Sequence, residues 1–130
     1  MEPITIHVQL TVDQTFVAHL IFTNDTTEQL LLDKYTICLD GKFRNNVFEI
    51  TDAKGKEVSY YGMMGKRVIT KEDFIEFKPG DTVNVSVNLN DAYRLEPNKY
   101  SIRYFAYNPG LSDDAPFVEM ISNTVSIHYK

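Results

Sequence analysis

Alternation of apolar and polar residues with a period of two is the feature that most constrains the fold of this chain. In five segments apolar residues occupy every second position, and most of the residues between them are polar. These segments are 4–10, 16–22, 83–89, 100–106 and 125–129. Because successive side chains of a β-strand point to opposite faces, this period predicts strands with one buried face. No segment has helical periodicity, although segment 89–95 could hold one short helical turn.

Short clusters of Asn, Asp, Gly and Pro separate the strand-like segments. They occupy 24–27, 52–55, 79–80 and 108–110, and these residue types adopt the backbone conformations of tight turns. The pattern predicts an all-β chain that forms an antiparallel immunoglobulin-like β-sandwich of about 7–9 strands. A closed barrel is the alternative. Because 130 residues suffice for one core, we expect a single domain over residues 1–130.

Two local patterns refine the predicted sandwich. Tyr100 follows a proline-containing turn and begins an alternating segment, which is the place of a tyrosine corner in immunoglobulin-like domains. The alternative is an ordinary buried tyrosine on a strand. Leu30 and Leu32 are out of phase with the apolar residues that follow Lys34. This change of phase predicts a break or bulge near Asp33.

The charge of the chain argues against several classes of partner. It has 13 basic and 18 acidic residues and a net charge of −5, so we expect no binding to nucleic acid or to an anionic membrane. No apolar run reaches the roughly 18 residues of a membrane-spanning helix. The strand-like pattern begins almost at the first residue, which predicts no signal peptide. We expect a cytoplasmic protein, or a secreted or periplasmic one if a leader has been removed.

The sequence contains no residue set with the spacing of a catalytic or metal site. His7, His19 and His128 lie opposite the main apolar positions, which predicts exposed or half-covered side chains. Cys38 lies within an apolar segment, so we expect an inert, buried thiol on a strand. We therefore predict no catalytic residue, no metal ligand and no cofactor, and a protein that is not an enzyme.

Two loops contain more aromatic, methionine and charged residues than turns require. Segment 60–71 combines tyrosines, two methionines and two adjacent cations, and segment 107–117 is long for a hairpin connection. Because Tyr, Met and Arg are enriched at protein interfaces, we predict that both loops contact a partner. The predicted contact residues are Tyr61, Met63, Met64, Lys66, Arg67, Tyr107, Leu111, Asp113, Asp114 and Phe117.

The expected anchors are Tyr61, Met63, Met64 and Phe117, and Lys66 and Arg67 are expected to engage an acidic surface of the partner. The alternative for segment 60–71 is a turn in which Tyr60 and one methionine belong to the core and the cations face water. The alternative for segment 107–117 is a mobile solvent loop. A calcium site within 111–116 is the weaker further alternative.

A nine-strand sandwich of the variable type would also separate charge along its length. Alternating turns would place segment 61–72 at a net positive end and segment 108–117 at a net negative end. We therefore predict a lengthwise charge dipole, with Arg67 and Asp113 at opposite ends, that would orient a partner.

The middle and the end of the chain resemble a known domain. The elements that carry the resemblance include Phe48-Glu49-Ile50, Gly55-Lys56-Glu57-Val58, Tyr60-Tyr61-Gly62, Asp73-Phe74-Ile75, Pro79-Gly80-Asp81 and Ile121-Ser122-Asn123-Thr124-Val125. Over roughly residues 15–129 the chain resembles the N-terminal, pro-domain-like β-sandwich of deuterolysin-type (aspzincin) zinc metallopeptidases. In that family this domain assists folding and restrains the peptidase, and the zinc ligands lie in the following domain. This sequence has no His-Glu-x-x-His, so the resemblance implies no peptidase activity here.

The leading functional prediction is a non-enzymatic protein-interaction module. The resemblance implies a stand-alone pro-domain-like inhibitor, or an immunity-type protein, that masks a peptidase or toxin. One alternative is a small-ligand or carbohydrate-binding sandwich with a cleft lined by Tyr61, Tyr93 or Tyr107. Another is a structural subunit that forms homodimers or larger assemblies through an unprotected edge strand at 4–10 or 125–129.

Overall fold

Nine β-strands make up most of the regular structure of this chain. A computed structural model describes residues 4–65, 67–112, 114–115 and 117–129. The strands are β1 (Ile4–Val12), β2 (Val17–Thr23), β3 (Leu30–Asp33), β4 (Phe48–Asp52), β5 (Phe74–Phe77), β6 (Thr82–Asn88), β7 (Asn98–Asn108), β8 (Val118–Ser122) and β9 (Val125–Tyr129). Single 3-10 turns lie at Lys71–Asp73 and Leu89–Asp91. The all-β class and the helical turn within 89–95 are therefore confirmed.

Seven strands form one sheet, and two form a small separate ribbon. The order in the large sheet is β4-β7-β8-β1-β2-β6, with β9 also paired with β7. β8 pairs with the second half of β7 and β9 with the first half, so β8 and β9 act as one strand interrupted at residues 123–124. The ribbon consists of β3 and β5.

One pairing contradicts the prediction of a purely antiparallel fold. β1 runs parallel to β8, from Ile4 opposite Val118 to Val8 opposite Ser122, and antiparallel to β2. The alternation of residues fixes which face of a strand is buried but not the direction of its neighbour, so this pairing could not be read from the pattern. Ile4–Val8 pairs with β8 and Val8–Val12 pairs with β2, so β1 is bound to a neighbouring strand along its whole length.

Side chains from the two halves of the large sheet pack face to face. The ring of Phe22 on β2 lies 5.4 Å from that of Tyr104 on β7, centroid to centroid, although β8 and β1 separate these strands in the sheet order. Phe16 packs edge-on against Tyr100 at 6.0 Å. The large sheet therefore folds over a core that both halves line, and the burial of these rings is a main source of its stability.

Two asparagine side chains form hydrogen bonds with backbone groups at places where the backbone hydrogen bonds between strands end. At the interruption between β8 and β9, the Asn123 side chain accepts from the Leu10 N–H (2.8 Å) and donates to the Leu10 carbonyl (3.0 Å). At the end of β7, the Asn108 side chain accepts from the Asp33 N–H (2.9 Å) and donates to the Leu31 carbonyl (2.8 Å). The second contact ties β7 to the free edge of β3, which brings the ribbon against the large sheet.

The local predictions for Tyr100 and Asp33 are confirmed, and that for Cys38 is confirmed only in part. The Tyr100 hydroxyl donates to the Glu96 carbonyl (2.6 Å) and accepts from the Glu96 N–H (2.9 Å), which is the contact of a tyrosine corner. β3 ends at Asp33, and turns follow. Cys38 is buried, but it lies in these turns with a φ of 56°, not on a strand.

No helix in the described part of the chain has the length and apolar character needed to cross a membrane.

The tyrosine corner can be tested by removing a single oxygen atom. Tyr100→Phe keeps the ring packing but removes both hydrogen bonds to Glu96, and we expect the free energy of unfolding to fall by about 1–2 kcal/mol. Tyr107→Phe is the matched control, because Tyr107 is 54% exposed, and its change should stay within about 0.5 kcal/mol. Urea denaturation followed by circular dichroism measures both. Equal effects of the two substitutions would contradict the structural role of Tyr100.

Candidate functional site

The two loops predicted to bind a partner meet at one cavity. Met63 and Arg67 come from the first loop, and Tyr107 and Pro109 come from the second. The cavity measures about 380 Å³ and opens to solvent. Its remaining wall is the segment that follows β3, which contributes Tyr35 among other residues. Three segments far apart in sequence thus form one concave surface.

The buried carboxylate of Asp33 holds these segments together. Its side chain has no exposed surface, and its Oδ2 atom accepts hydrogen bonds from the Thr36 N–H (3.1 Å) and the Thr36 hydroxyl (2.5 Å). The Arg67 guanidinium forms an ion pair with the same oxygen. The Asp33 N–H donates to Asn108 at the end of β7. Asp33 Oδ1 is buried without a hydrogen-bond partner among the described residues.

Two arginines stack on one tyrosine ring beside the cavity. The guanidinium carbon of Arg44 lies 4.4 Å from the centroid of Tyr35, and that of Arg67 lies 4.7 Å from it. Such cation–π contacts fix the direction of both guanidinium groups. Arg44 also binds Asp40 through two hydrogen bonds, of 3.0 and 2.7 Å. These bonds hold the pKa of the Asp40 carboxyl below its usual value.

Exposed apolar side chains surround the cavity on both loops. Met63, Met64 and Val68 on the first loop are 67%, 69% and 85% exposed. The second loop exposes Tyr107 and Phe117, whose ring centroids are 5.1 Å apart. We call this set, together with Ile69 and Leu111, the loop surface. Isolated exposed apolar residues are common, whereas a group that converges from two loops is typical of binding surfaces.

A second, smaller cavity extends the loop surface. It measures about 150 Å³ and lies between β3 and the second loop, with Leu31, Pro109 and Leu111 in its wall. Pro109 lines both cavities, so they are neighbours across this residue.

The structure brings only part of the predicted contact set to these cavities. Those that line them are Met63, Arg67, Tyr107 and Leu111. Lys66 and Asp113 lie outside the described residues. Tyr61 is displaced from the cavity, because its hydroxyl donates to the Asn90 carbonyl (2.6 Å). Met64, Asp114 and Phe117 are exposed without being among the lining residues described.

The predicted charge dipole is wrong. It required the two loops to lie at opposite ends of the domain, but Arg67 and Pro109 line the same cavity. Arg67 also forms an ion pair with the buried Asp33. The assumed alternation of turns placed Arg67 and Pro109 at opposite ends, and the structure does not follow it.

Sequence reasoning missed the segment between β3 and β4. Asp33, Tyr35, Thr36, Arg44 and Asn45 all line the larger cavity. One signal was available, because a carboxylate directly after three leucines interrupts an apolar run at a position where burial requires a charged partner. The position of that partner, Arg67, carries no comparable signal.

Two buried side chains outside the loop surface, Cys38 and Tyr93, have pKa values that burial shifts. Burial raises the pKa of the Cys38 thiol to about 12, so this side chain stays protonated. Burial also raises the pKa of Tyr93, which is wholly buried. Tyr93 is not among the lining residues of the two cavities described above. Within the described residues, no three His, Cys, Asp or Glu side chains come close enough to hold a metal ion.

A hydrogen-bonded Ser, His and Asp set lies on the exposed face of β2 and β6, and the sequence did not predict it. His19 Nδ1 is 2.8 Å from the Ser86 hydroxyl, and His19 Nε2 is 3.4 Å from Asp13 Oδ2. His19 and Ser86 are direct neighbours in the β2–β6 register. All three side chains are exposed, so water competes for each bond, and we interpret the set as a surface network. The exposure predicted for His7, His19 and His128 is confirmed.

Comparisons with known proteins do not assign this chain to a family. No protein-family model matches it, and no curated protein is significantly similar to it in sequence. The geometry of the loop surface is therefore the basis on which a function can be proposed.

The ion pair between Arg67 and Asp33 should dominate local stability. Arg67→Met leaves the buried carboxylate without its cation, and we expect the free energy of unfolding to fall by about 3 kcal/mol. Adding Asp33→Asn should recover much of this loss, because a neutral amide costs less to bury. The matched control is Arg103→Met, which breaks the exposed pair with Glu49 and should cost about 0.5 kcal/mol. Chemical denaturation measures all three, and equal losses for Arg67→Met and Arg103→Met would refute the buried pairing.

The turn between β1 and β2 should give the protein a defined acid sensitivity. The Thr15 hydroxyl, followed by the Val17 and Thr15 N–H groups, lowers the pKa of Asp13 from 3.8 to about 2. Because the folded pKa lies below the unfolded one, the ionised carboxylate stabilises the fold at pH values above 3.8. This contribution is lost as the pH falls towards 2. Urea unfolding across this range should show the loss in the wild type and a shallower decline in Asp13→Asn. Parallel declines would contradict the assignment.

Proposed function

We propose that this chain is a non-enzymatic protein-interaction module that binds another protein through the loop surface. The observation that carries the proposal is the convergence of two apolar loops around one cavity. Both loops expose methionine, aromatic or branched side chains, and such side chains are the usual anchors of protein interfaces.

The two arginines of the larger cavity favour binding to a specific partner over general adhesion. Arg44 and Arg67 stand beside the apolar side chains, and each is held by a carboxylate and by the Tyr35 ring. Fixed charged groups at the edge of an apolar patch select partners by charge and position. Because these arginines are already ordered, little conformational entropy is lost when a partner contacts them.

We also propose an immunoglobulin-like sandwich as the finer description of the fold. The tyrosine corner at Tyr100 supports it, as does the face-to-face packing of β2 against β7. In such sandwiches the loops at one end commonly carry the binding site, on a scaffold that stays rigid.

The proposed biological role is that of an inhibitor or immunity-type protein that masks its partner. The resemblance to the pro-domain-like sandwich of aspzincin peptidases supports this role and makes a peptidase the first candidate partner. An inhibitor that is a separate molecule from its target binds by its own affinity. The apolar loop surface offers a physical source for that affinity.

A small ligand is the second candidate, and one observation favours it. The larger cavity is concave, and Tyr107 and Tyr35 are in its wall, with Thr36 and Asn45 as hydrogen-bonding neighbours. Aromatic and polar side chains together suit a small polar ligand such as a carbohydrate. The extent of exposed apolar surface outside the cavity is why we favour a protein partner.

Affinity capture from the native lysate tests the proposed function. Wild type and Met63→Gln/Met64→Gln are compared, since glutamine keeps the length of methionine but removes its apolar end. Each protein captured by the wild type is then purified and titrated calorimetrically against both. We expect the double substitution to weaken binding at least about tenfold and to leave the thermal midpoint of unfolding unchanged.

The matched control is Leu39→Gln, which changes an exposed apolar residue outside both loops and should retain full affinity. The proposal fails if no purified protein binds the wild type in the titration, or if the double substitution binds as tightly as the control.

A further inference from the structure

The lining of the larger cavity combines apolar and polar side chains. Met63, Ile69, Tyr107 and Pro109 provide apolar contacts. Arg44 and Arg67, together with Thr36 and Asn45, provide polar contacts. A group that suits this space would therefore have an apolar part and a part that accepts hydrogen bonds.

Both cations of the cavity wall are already paired with a carboxylate. Arg67 pairs with Asp33, which also lines the cavity. Arg44 pairs with Asp40, which is not among the lining residues described and has a side chain that is 44% exposed. An ion pair this exposed is weak, so a ligand carboxylate can compete with Asp40 for Arg44.

Both guanidinium groups keep donors available in fixed directions. Arg67 donates to Asp33 through Nη2 alone, among the hydrogen bonds of the described residues. The stacking of both arginines on Tyr35 restricts their rotation. A guanidinium that is planar and already oriented is the best protein donor for a carboxylate, because two parallel N–H bonds form at small entropic cost.

We propose that this cavity is a subsite for a carboxylate next to an apolar group, as in an acidic or C-terminal residue of a peptide partner. The carboxylate lies between Arg44 and Arg67, and the apolar group lies against Ile69 and Tyr107. This inference rests on the proposed function, because it assigns a chemistry to the centre of the loop surface.

A single negative charge fits the wall better than a double one. Because both arginines are already paired with carboxylates, a ligand carboxylate adds one negative charge to the site, whereas a phosphate dianion would add two beside the buried Asp33. The apolar lining also matches an amino-acid side chain better than an inorganic anion, which would leave Ile69 and Met63 uncovered.

A titration with two small probes tests the subsite directly. N-acetyl-phenylalanine presents a carboxylate beside an apolar ring, and N-acetyl-phenylalaninamide differs only in having a neutral amide in its place. Each is titrated into the full chain while backbone amide resonances are recorded. We expect the acid to shift resonances from segments 35–45, 67–69 and 107–109, and the amide to bind about tenfold more weakly.

Variants identify the donor. Arg44→Gln removes the arginine whose ion pair is exposed, without disturbing the pair of Arg67 with Asp33, and it should weaken binding of the acid about tenfold while leaving that of the amide unchanged. Arg103→Gln is the matched control, because Arg103 is also paired with an exposed carboxylate and placed over an aromatic ring. It should leave the affinity for the acid unchanged.

The outcomes separate this inference from the proposed function. Equal binding of the acid and the amide at the cavity would overturn the carboxylate subsite while leaving an apolar binding surface in place. Tighter binding of phenyl phosphate than of the acid would overturn the preference for a carboxylate. Shifts outside the cavity, or an unchanged affinity of Arg44→Gln for the acid, would overturn the assignment as well.

Discussion

The burial of one carboxylate, that of Asp33, sets the arrangement of the functional half of this protein. An ionised group without exposed surface must be matched by hydrogen bonds and by a counter-charge, or the fold loses several kcal/mol. Thr36 supplies the hydrogen bonds from the same turn, and Arg67 supplies the charge from a loop 34 positions away. The loop is therefore drawn over the ribbon, and the cavity forms where it meets the end of β7.

In the sheets, side-chain amides supply hydrogen bonds where the pairing between strands is interrupted. Asn108 and Asn123 each bind both a backbone N–H and a carbonyl of a neighbouring strand, as another strand would. This substitution lets β3 and the β8–β9 interruption exist without unsatisfied backbone groups. The irregular places in the sheet are thus as well bonded as the regular ones, and loops of unusual composition can be attached to them.

Much of the scaffold could be predicted from the sequence, whereas the site could be predicted only in fragments. Alternation located the strands, and the turn before Tyr100 indicated its corner, because both depend on neighbours in sequence. The parallel neighbour of β1 and the union of the two loops depend on contacts between distant segments, which periodicity does not encode. Cys38 illustrates the limit, since its apolar setting predicted burial correctly but not the left-handed turn in which it lies.

The position of β1 has a consequence for how the chain acquires its structure. Leu10 and Asn123, which bind each other, are 113 positions apart in sequence, so the first strand receives half of its pairing from one of the last. Contacts between such distant residues form slowly, because the chain loses much conformational entropy before they are made. During synthesis β1 can pair early with β2, but its pairing with β8 must wait until β8 has left the ribosome. β8 therefore completes the sheet from the centre of the strand order rather than from its edge.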